Sequence, residues 1–543
     1  MTHRIHLYDT TLRDGAQTQG VQFSTAEKAR IARLLDDLGV DSIEGGWPGA
    51  NPTDSDFFRD APPLRARLTA FGMTKRPGRS ASNDDVLAAV LDARTPAVCL
   101  VGKSHPFHVA TALGIALDDN LANIRDSFAH LRSKGRAALF DAEHFFDGFR
   151  ADPAYALAAL HAAHDEGAEW VVLCDTNGGT LPAEVARAVE AVLASGIPGD
   201  RVGIHAHDDT GHAVANSLAA LDAGARQIQG TLNGLGERCG NANLTTLIPT
   251  LLLKQPYANC YRTGVTEDAL RGLLRASRTL DDILNRVPAR QAPYVGASAF
   301  AHKAGLHASA ILKDPTTYEH VPPEAVGNAR IVPMSNQAGQ SNLRSRLAAA
   351  GIEAAPGDPR LGRILEDVKE REGRGYAYDT AQASFELLAR RHLDLLPRHF
   401  EVERYRVISE RRRNARGEVV TVSEAVVTVL IGGDRRTSFY ENPTGEGDQG
   451  PVNALSRALA MDLGALQPFI ADMNLTDFAV RVTGDGTDAV TRVLIDSEDG
   501  EGRAWTTVGA SANIIDASFE ALVDAIAWKL VRDGAPVPAR PGP

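Results

Sequence analysis

A chain of 543 residues is too long for one ordinary core, and with 43% apolar residues it can bury roughly two to four. Its net charge of −12 and pI near 5.8 offer no basic stripe to neutralise phosphates, which argues against nucleic acid as the main partner. There is no uncharged apolar stretch of about 18 residues and no apolar leader after Met1-Thr2-His3-Arg4, and of the cysteines Cys99, Cys174, Cys239 and Cys260, the first two sit in apolar runs. A reducing, cytoplasmic setting without membrane contact is therefore expected.

From residue 5 to about 253, short β-rich runs alternate with longer amphipathic helical runs, the pattern of parallel strands joined by crossover helices. Eight strands are predicted, at 5–8, 42–44, 68–71, 97–101, 137–140, 170–174, 202–205 and 227–229, with helices such as 24–38, 83–93 and 181–193 between them. Ser24-Thr25-Ala26-Glu27 reads as a capping box that opens the first helix. Eight βα units in about 250 residues fit a closed (β/α)8 TIM barrel better than an open doubly wound sheet. In such a barrel functional groups gather just past the strands' C-terminal ends. Asp14 follows the first strand, Glu44 ends the second, and Glu143 follows the fifth. Asp175-Thr176-Asn177 follows the sixth, His205 and His207 end the seventh, and Asn241 follows the eighth.

Past about residue 255 the chain turns to helical stretches broken by Pro- and Gly-bearing segments, up to roughly Pro397. Within it, Ala299-Phe300-Ala301-His302-Lys303-Ala304-Gly305-Leu306-His307-Ala308 suits either a linker that reaches over an active site or a plain connector with solvated histidines. From about 400 a weak internal repeat appears: runs at 426–430 and 438–440 and a helix at 451–463 are mirrored by 490–495, 505–508 and 516–530. Two βββα units are predicted, each helix preceded by a Gly-containing turn, Gly445-Glu446-Gly447-Asp448-Gln449-Gly450 and Gly509-Ala510-Ser511. A junction between related halves makes a pocket for a small effector, although a dimerisation module without a ligand has the same spacing. The expected α/β organisation is a barrel over 1–270, a mostly helical linker over 271–399 and a C-terminal α+β domain over 400–543.

Arg13 and Asp14 at the end of the first strand offer a permanently charged fork for an oxyanion beside a hard anionic metal ligand, or, taken alone, a surface ion pair. His205 and His207, two apart on a predicted strand, emerge on one face. Two imidazoles, the Asp14 carboxylate and the Asn241 carbonyl oxygen form a mixed set that admits Mg²⁺, Mn²⁺ or Zn²⁺ with open positions for substrate.

Asp-Thr-Thr-Leu-Arg-Asp-Gly at 9–15, Cys-Asp-Thr-Asn-Gly-Gly at 174–179, His-Ala-His-Asp-Asp at 205–209 and Asn-Gly-Leu-Gly-Glu-Arg-Cys-Gly-Asn-Ala at 233–242 resemble the α-isopropylmalate, homocitrate and citramalate synthase family. Gly486-Thr487-Asp488-Ala489 and Gly509-Ala510-Ser511-Ala512-Asn513-Ile514-Ile515 resemble its regulatory domain. Glu-Gly-Gly-Trp-Pro-Gly-Ala-Asn-Pro-Thr-Asp at 44–54 and Asp-Ala-Glu-His-Phe-Phe-Asp-Gly-Phe at 141–149 look most like its bacterial citramalate-forming branch. The resemblance implies a Claisen-type condensation of acetyl-CoA with pyruvate and thioester hydrolysis to citramalate and CoA, on a route to isoleucine. The 2-isopropylmalate and homocitrate reactions share the motifs, and a barrel retained as a metabolite sensor is an alternative of another class. The resemblance further implies that the barrel is catalytic, that the linker contributes to the active site and that the C-terminal domain is regulatory, with a homodimer and an amino-acid effector, isoleucine first and leucine second. By the same resemblance Asp14, His205 and His207 hold a divalent metal, with Asn241 as a further ligand or close support. Arg13 stabilises the growing alkoxide, and Thr176 holds the 2-oxoacid carboxylate. His307 is the base, with Glu143 and Tyr318 assisting proton movement and water activation. Gln17, Glu44 and Asp141 are expected, with Arg13 and Thr176, to face the substrate; Asp141 departs from the aromatic or apolar residue expected there.

Overall fold

The computed structural model describes residues 2–539 except 304, 312, 335–339, 356, 414–416, 418, 443–449 and 484–488, and only the backbone of 305, 308, 341, 342 and 483. Two compact units are present: Met1–Phe300 with Val321–Ala329, and Ala301–His320 with Arg330–Pro543.

In the first unit, β1 (His6–Asp9), β2 (Ser42–Gly46), β3 (Arg67–Met73), β4 (Ala97–Lys103), β5 (Ala137–Glu143), β6 (Trp170–Asp175), β7 (Val202–Ala206) and β8 (Gln227–Gly230) pair in chain order. All pairs are parallel, and β1 closes on β8 into a barrel. Each strand is followed by a helix: α1 (Thr25–Leu38), α2 (Pro52–Arg59), α3 (Asp85–Asp92), α4 (Leu117–Ser133), α5 (Pro153–His164), α6 (Pro182–Ala194), α7 (Ala213–Asp222) and α8 (Leu244–Leu253). The predicted capping box is present, with Ser24 and Glu27 exchanging side chain to backbone bonds, and α1 ends at left-handed Gly39.

Strands covered on both faces read as near-continuous apolar runs, and the period of two divides them between two cores. Leu7, Val98, Leu100, Phe140, Val171 and Ile204 pack outward under the helices. Tyr8, Phe71, Cys99, Leu139, Trp170 and Val172 fill the barrel interior. The same alternation sends Asp141, Glu143, His205 and Gln229 inward, so the interior becomes polar towards its C-terminal mouth.

In the second unit, after α9 (Leu273–Ile283) of the first, follow α10 (Gly305–Ile311), α11 (Gln340–Ala349), α12 (Pro359–Gly373) and α13 (Gln382–His392). Two antiparallel three-stranded sheets come next. One is β9 (Glu401–Arg413), β10 (Val419–Ile431) and β11 (Asp434–Glu441) with α14 (Pro451–Met461); the other is β12 (Asn474–Thr483), β13 (Val490–Glu498) and β14 (Ala504–Ser511) with α15 (Ile514–Arg532). Ala425, Val427, Leu455, Val493, Ile495 and Leu522 share one core across the two βββα halves.

The seventh strand stops at Ala206, so His207 lies one residue beyond the strand, in a bridge to Asn241. Gly509-Ala510-Ser511 is not a turn. These residues pair with Thr491, Arg492 and Val493 inside β14, and a Cβ on Gly509 would stand 1.9 Å from the Ala517 carbonyl oxygen. The glycine serves the close approach of α15, whose N-cap is Asn513. Residues 445–449 of the other predicted turn, and Gly486-Thr487-Asp488, lie outside the described residues. Among the described residues no helix is long and apolar enough to cross a membrane.

Candidate active site

The turn after β1 is fixed by its own polar groups. Asp9, fully buried, accepts from the backbone N–H and the hydroxyl of Thr11, both at 2.8 Å. Thr11 Oγ1 in turn accepts from Leu232 N at 2.9 Å, tying this turn to the one after β8. Arg13, Asp14 and Gly15 all donate backbone N–H to Thr10 O. The result aims two adjacent side chains, Arg13 and Asp14, at the barrel mouth.

Asp14, His205 and His207 are buried, with ligand atoms within 4.8 Å of one another. His205 Nε2 is 3.1 Å from Asp14 Oδ2. Burial opposes ionisation of Asp14, but the Arg13 charge and the His205 hydrogen bond outweigh it and hold its carboxyl well below the usual range. Burial and the neighbouring His205 push His207 down to about 4, leaving a neutral imidazole at pH 7. Burial likewise opposes charge on His205, but its hydrogen bond to Asp14 and that carboxylate's charge raise its pKa. A divalent cation fits this set, because Asp14 Oδ1, His207 Nδ1 and Asn241 Oδ1 are buried polar atoms with no hydrogen-bond partner. Buried polar atoms are rarely left so. Asn241 Nδ2 is engaged on Leu235 O at 3.0 Å, which orients the free carbonyl oxygen.

Arg13 is clamped. Its Nε donates to Glu44 Oε2 at 2.6 Å, one Nη lies 3.4 Å from Asp14 Oδ2, and the guanidinium sits 4.0 Å over the Phe71 ring. Burial works against its charge, but Glu44 and Asp14 outweigh it. Glu44 is fully buried behind Arg13 and also accepts from Tyr8 Oη at 2.8 Å. Burial raises its pKa, an effect that Arg13 partly offsets.

These groups open on a cavity of about 240 Å³ lined by Arg13, Asp14, Gln17, Asp141, Glu143, Thr176, His205 and His207 of the predicted set. Glu44 and Asn241 stand directly behind Arg13 and His207. Thr176 Oγ1 accepts from His144 N at 2.8 Å, so its hydroxyl proton is free for another acceptor. Glu143 is ion-paired with Lys103. His307 and Tyr318 belong to the second unit, where His307 is exposed on α10 and its ring stacks on Tyr318 at 4.0 Å.

Sequence reasoning missed Trp47, Phe71, Val101 and Arg238, which also line the cavity. Trp47 and Phe71 meet edge to face at 5.3 Å. Arg238 grips Asp209 through Nε at 2.7 Å and Nη2 at 2.9 Å, and donates to Thr176 O at 2.8 Å. The signal for Arg238 lay inside the 233–242 motif; that for Phe71 was only its place at the end of an apolar strand.

A parallel barrel with an imidazole and carboxylate set at its C-terminal mouth defines a class, and the family model described as HMGL-like matches residues 4–274. The model described as homocitrate synthase post-HMGL domain-like matches 294–374, and that of the LeuA allosteric (dimerisation) domain matches 379–530. An (R)-citramalate synthase of Aquifex aeolicus is 45% identical over 98% of this chain and 99% of its own length. One of Streptomyces coelicolor is 46% identical over 97% of both chains. A 2-isopropylmalate synthase of Heliobacterium modesticaldum is 30% identical over 99% of this chain and 98% of its own. The chain belongs to the (R)-citramalate synthase family.

Proposed function

We propose that this protein condenses acetyl-CoA with pyruvate and hydrolyses the thioester to (R)-citramalate and CoA, in the cytoplasm and on a route to isoleucine. The observation that carries the reading is the buried Asp14, His205 and His207 set with its unpartnered acceptor atoms, beside a clamped Arg13, in a chain similar over its whole length to (R)-citramalate synthases. A divalent cation bound there supplies Lewis-acid polarisation of the 2-oxoacid ketone. Arg13 meets the negative charge that develops on the ketone oxygen, and its fixed guanidinium needs no reorganisation during the reaction. Thr176 donates its free proton to the substrate carboxylate. His307, assisted by Tyr318 stacked on it, takes the proton of the acetyl methyl group, and Glu143 orients the hydrolytic water.

Selection of pyruvate falls to Trp47, Phe71 and Val101, which wall the cavity with rigid apolar surface and leave room for a small side chain on the 2-oxoacid. The C-terminal halves form a regulatory module. A cavity of about 510 Å³ lies among Tyr405, Ser409, Pro451, Asn513 and Asp516, with the N-termini of α14 and α15 at its wall. Those N-termini receive the carboxylate of an amino-acid effector, isoleucine, and Asp516 its ammonium group. Apolar Phe439, Val480 and Val482, exposed on the two sheets, favour a homodimer through this module.

The test is CoA release by protein loaded with Mg²⁺ or Mn²⁺, comparing pyruvate, 2-oxobutyrate, 2-oxoisovalerate and 2-oxoglutarate, with chelator as control. Preference for pyruvate is expected. Preference for 2-oxoisovalerate would keep the mechanism and reassign the substrate, and no release with any 2-oxoacid would refute the reading.

A further inference from the structure

Asp141 lies inside β5, buried, two residues below Glu143 on the same inward face. Its Oδ1 accepts from Gln229 Nε2 at 3.0 Å, and Gln229 Oε1 is 2.8 Å from His205 Nδ1. Gln229 Nε2 donates to Asp141 Oδ1, which gives the two bonds one consistent direction. A carboxylate only accepts, so the Gln229 atom facing it is the NH2 group, and the oxygen at the other end of the amide faces His205. That oxygen also only accepts, so Nδ1 keeps a proton whatever Nε2 carries, and Nε2, which hydrogen-bonds Asp14 Oδ2 at 3.1 Å, is the nitrogen that would give up its proton to a cation bound there. We propose that Asp141 is a positioning residue that acts through Gln229 to hold a proton on His205 Nδ1, so that Nε2 is the nitrogen presented to a metal beside Asp14.

The surroundings support a fixed carboxylate here, not a second cation site. Glu44 and Cys99 lie close enough to form a ligand group with Asp141, but both Glu44 oxygens are taken, one by Tyr8 and one by Arg13. The positive charge of Arg13 also acts on this cluster. Register places the relay: His205 and Gln229 are direct partners across β7 and β8. A hydrogen bond to the far nitrogen of a ligating histidine sets ring orientation and tautomer, and losing such support typically weakens metal binding about 10- to 100-fold.

The inference rests on the metal site assigned above and not on the identity of the 2-oxoacid, so it is tested by titrating metal-free full-length protein with Mn²⁺ alone, by calorimetry and without substrates. Asp141→Asn is nearly isosteric but can donate as well as accept, so the relay loses its direction; the Kd for Mn²⁺ is expected to rise about tenfold or more. In the double variant Asp141→Asn/Gln229→Glu, the new carboxylate accepts from both the asparagine NH2 and His205 Nδ1–H. Direction returns, and affinity should recover to within about threefold of the native protein. An unchanged Kd in Asp141→Asn, or a double variant no better than the single one, would overturn the proposal.

Discussion

Replacing Glu44 by Gln removes the charge that holds Arg13 in place. Glu44 is fully buried and joins Arg13 Nε at 2.6 Å and Tyr8 Oη at 2.8 Å. Glutamine has nearly the same volume and, with its oxygen toward Arg13 and its NH2 group toward the Tyr8 hydroxyl, keeps both hydrogen bonds. What is lost is charge. A charge-assisted bond exceeds a neutral one by about 1 kcal/mol, which sets the lower bound. Stripping a buried ion of its whole partnership costs about 3–5 kcal/mol, which sets the upper. Asp14, 3.4 Å from an Arg13 Nη, supplies part of the missing compensation, so roughly 2–3 kcal/mol of stability is the expected loss. The loosened guanidinium should also lower kcat/KM for CoA release about 10- to 100-fold, equivalent to about 1.4–2.7 kcal/mol of transition-state stabilisation. Denaturant unfolding and a thiol-reagent assay on the metal-loaded protein measure the two effects. An unchanged unfolding midpoint with kcat/KM within twofold of native would refute the reasoning, because Glu44 would then not be what orders Arg13.

Phe71→Val shortens the wall opposite the metal ligands, and since each extra methylene is discriminated by about 1–3 kcal/mol, the kcat/KM ratio of 2-oxobutyrate to pyruvate should rise by roughly 10-fold or more. An unaltered ratio would place the selectivity elsewhere. Asp516→Ala should weaken isoleucine inhibition while leaving uninhibited turnover near native, as read from inhibition curves; an identical curve would remove the cavity beside Tyr405 as the effector site. Asp499 is buried, and though burial opposes its ionisation, N–H groups of Arg503 and Glu501 and the Arg503 guanidinium hold its carboxyl below the usual range. Because the folded-state pKa is the lower one, its contribution is complete above the unfolded value of about 4 and is lost as pH falls through the folded value. The second unit should therefore lose stability on acidification in the native protein, with a smaller acid dependence in Asp499→Asn; parallel pH profiles of unfolding would contradict this.

The barrel was legible because its signal is local. Strands covered on both faces show as apolar runs such as Ala97–Lys103, separated by helices with their own caps, and Ser24 and Glu27 mark a helix start within four residues. The ligand candidates were legible for the same reason. His205 and His207 project together by strand periodicity, and Asp14 follows the first run at once.

Which groups those side chains touch was decided by the register between strands that lie far apart in sequence. Glu143 meets Lys103 because β4 and β5 align them, and His205 meets Gln229 because β7 and β8 do. Closure of β1 on β8 ties the Asp9 turn to Leu232, and the pairing of Gly46 with Ala70 brings Trp47 against Phe71. Gly509 shows the limit from the other side. Its sequence neighbourhood reads as a turn, yet it lies in a strand because a helix backbone packs where its Cβ would be. Neighbours along the chain set periodicity and capping, and these specify the eight-stranded repeat, the two βββα halves and the residue types at the barrel mouth. The tertiary structure alone decided the clamp on Arg13, the walls of the cavity and the place of Asp141 behind His205, since these depend on strand register and barrel closure.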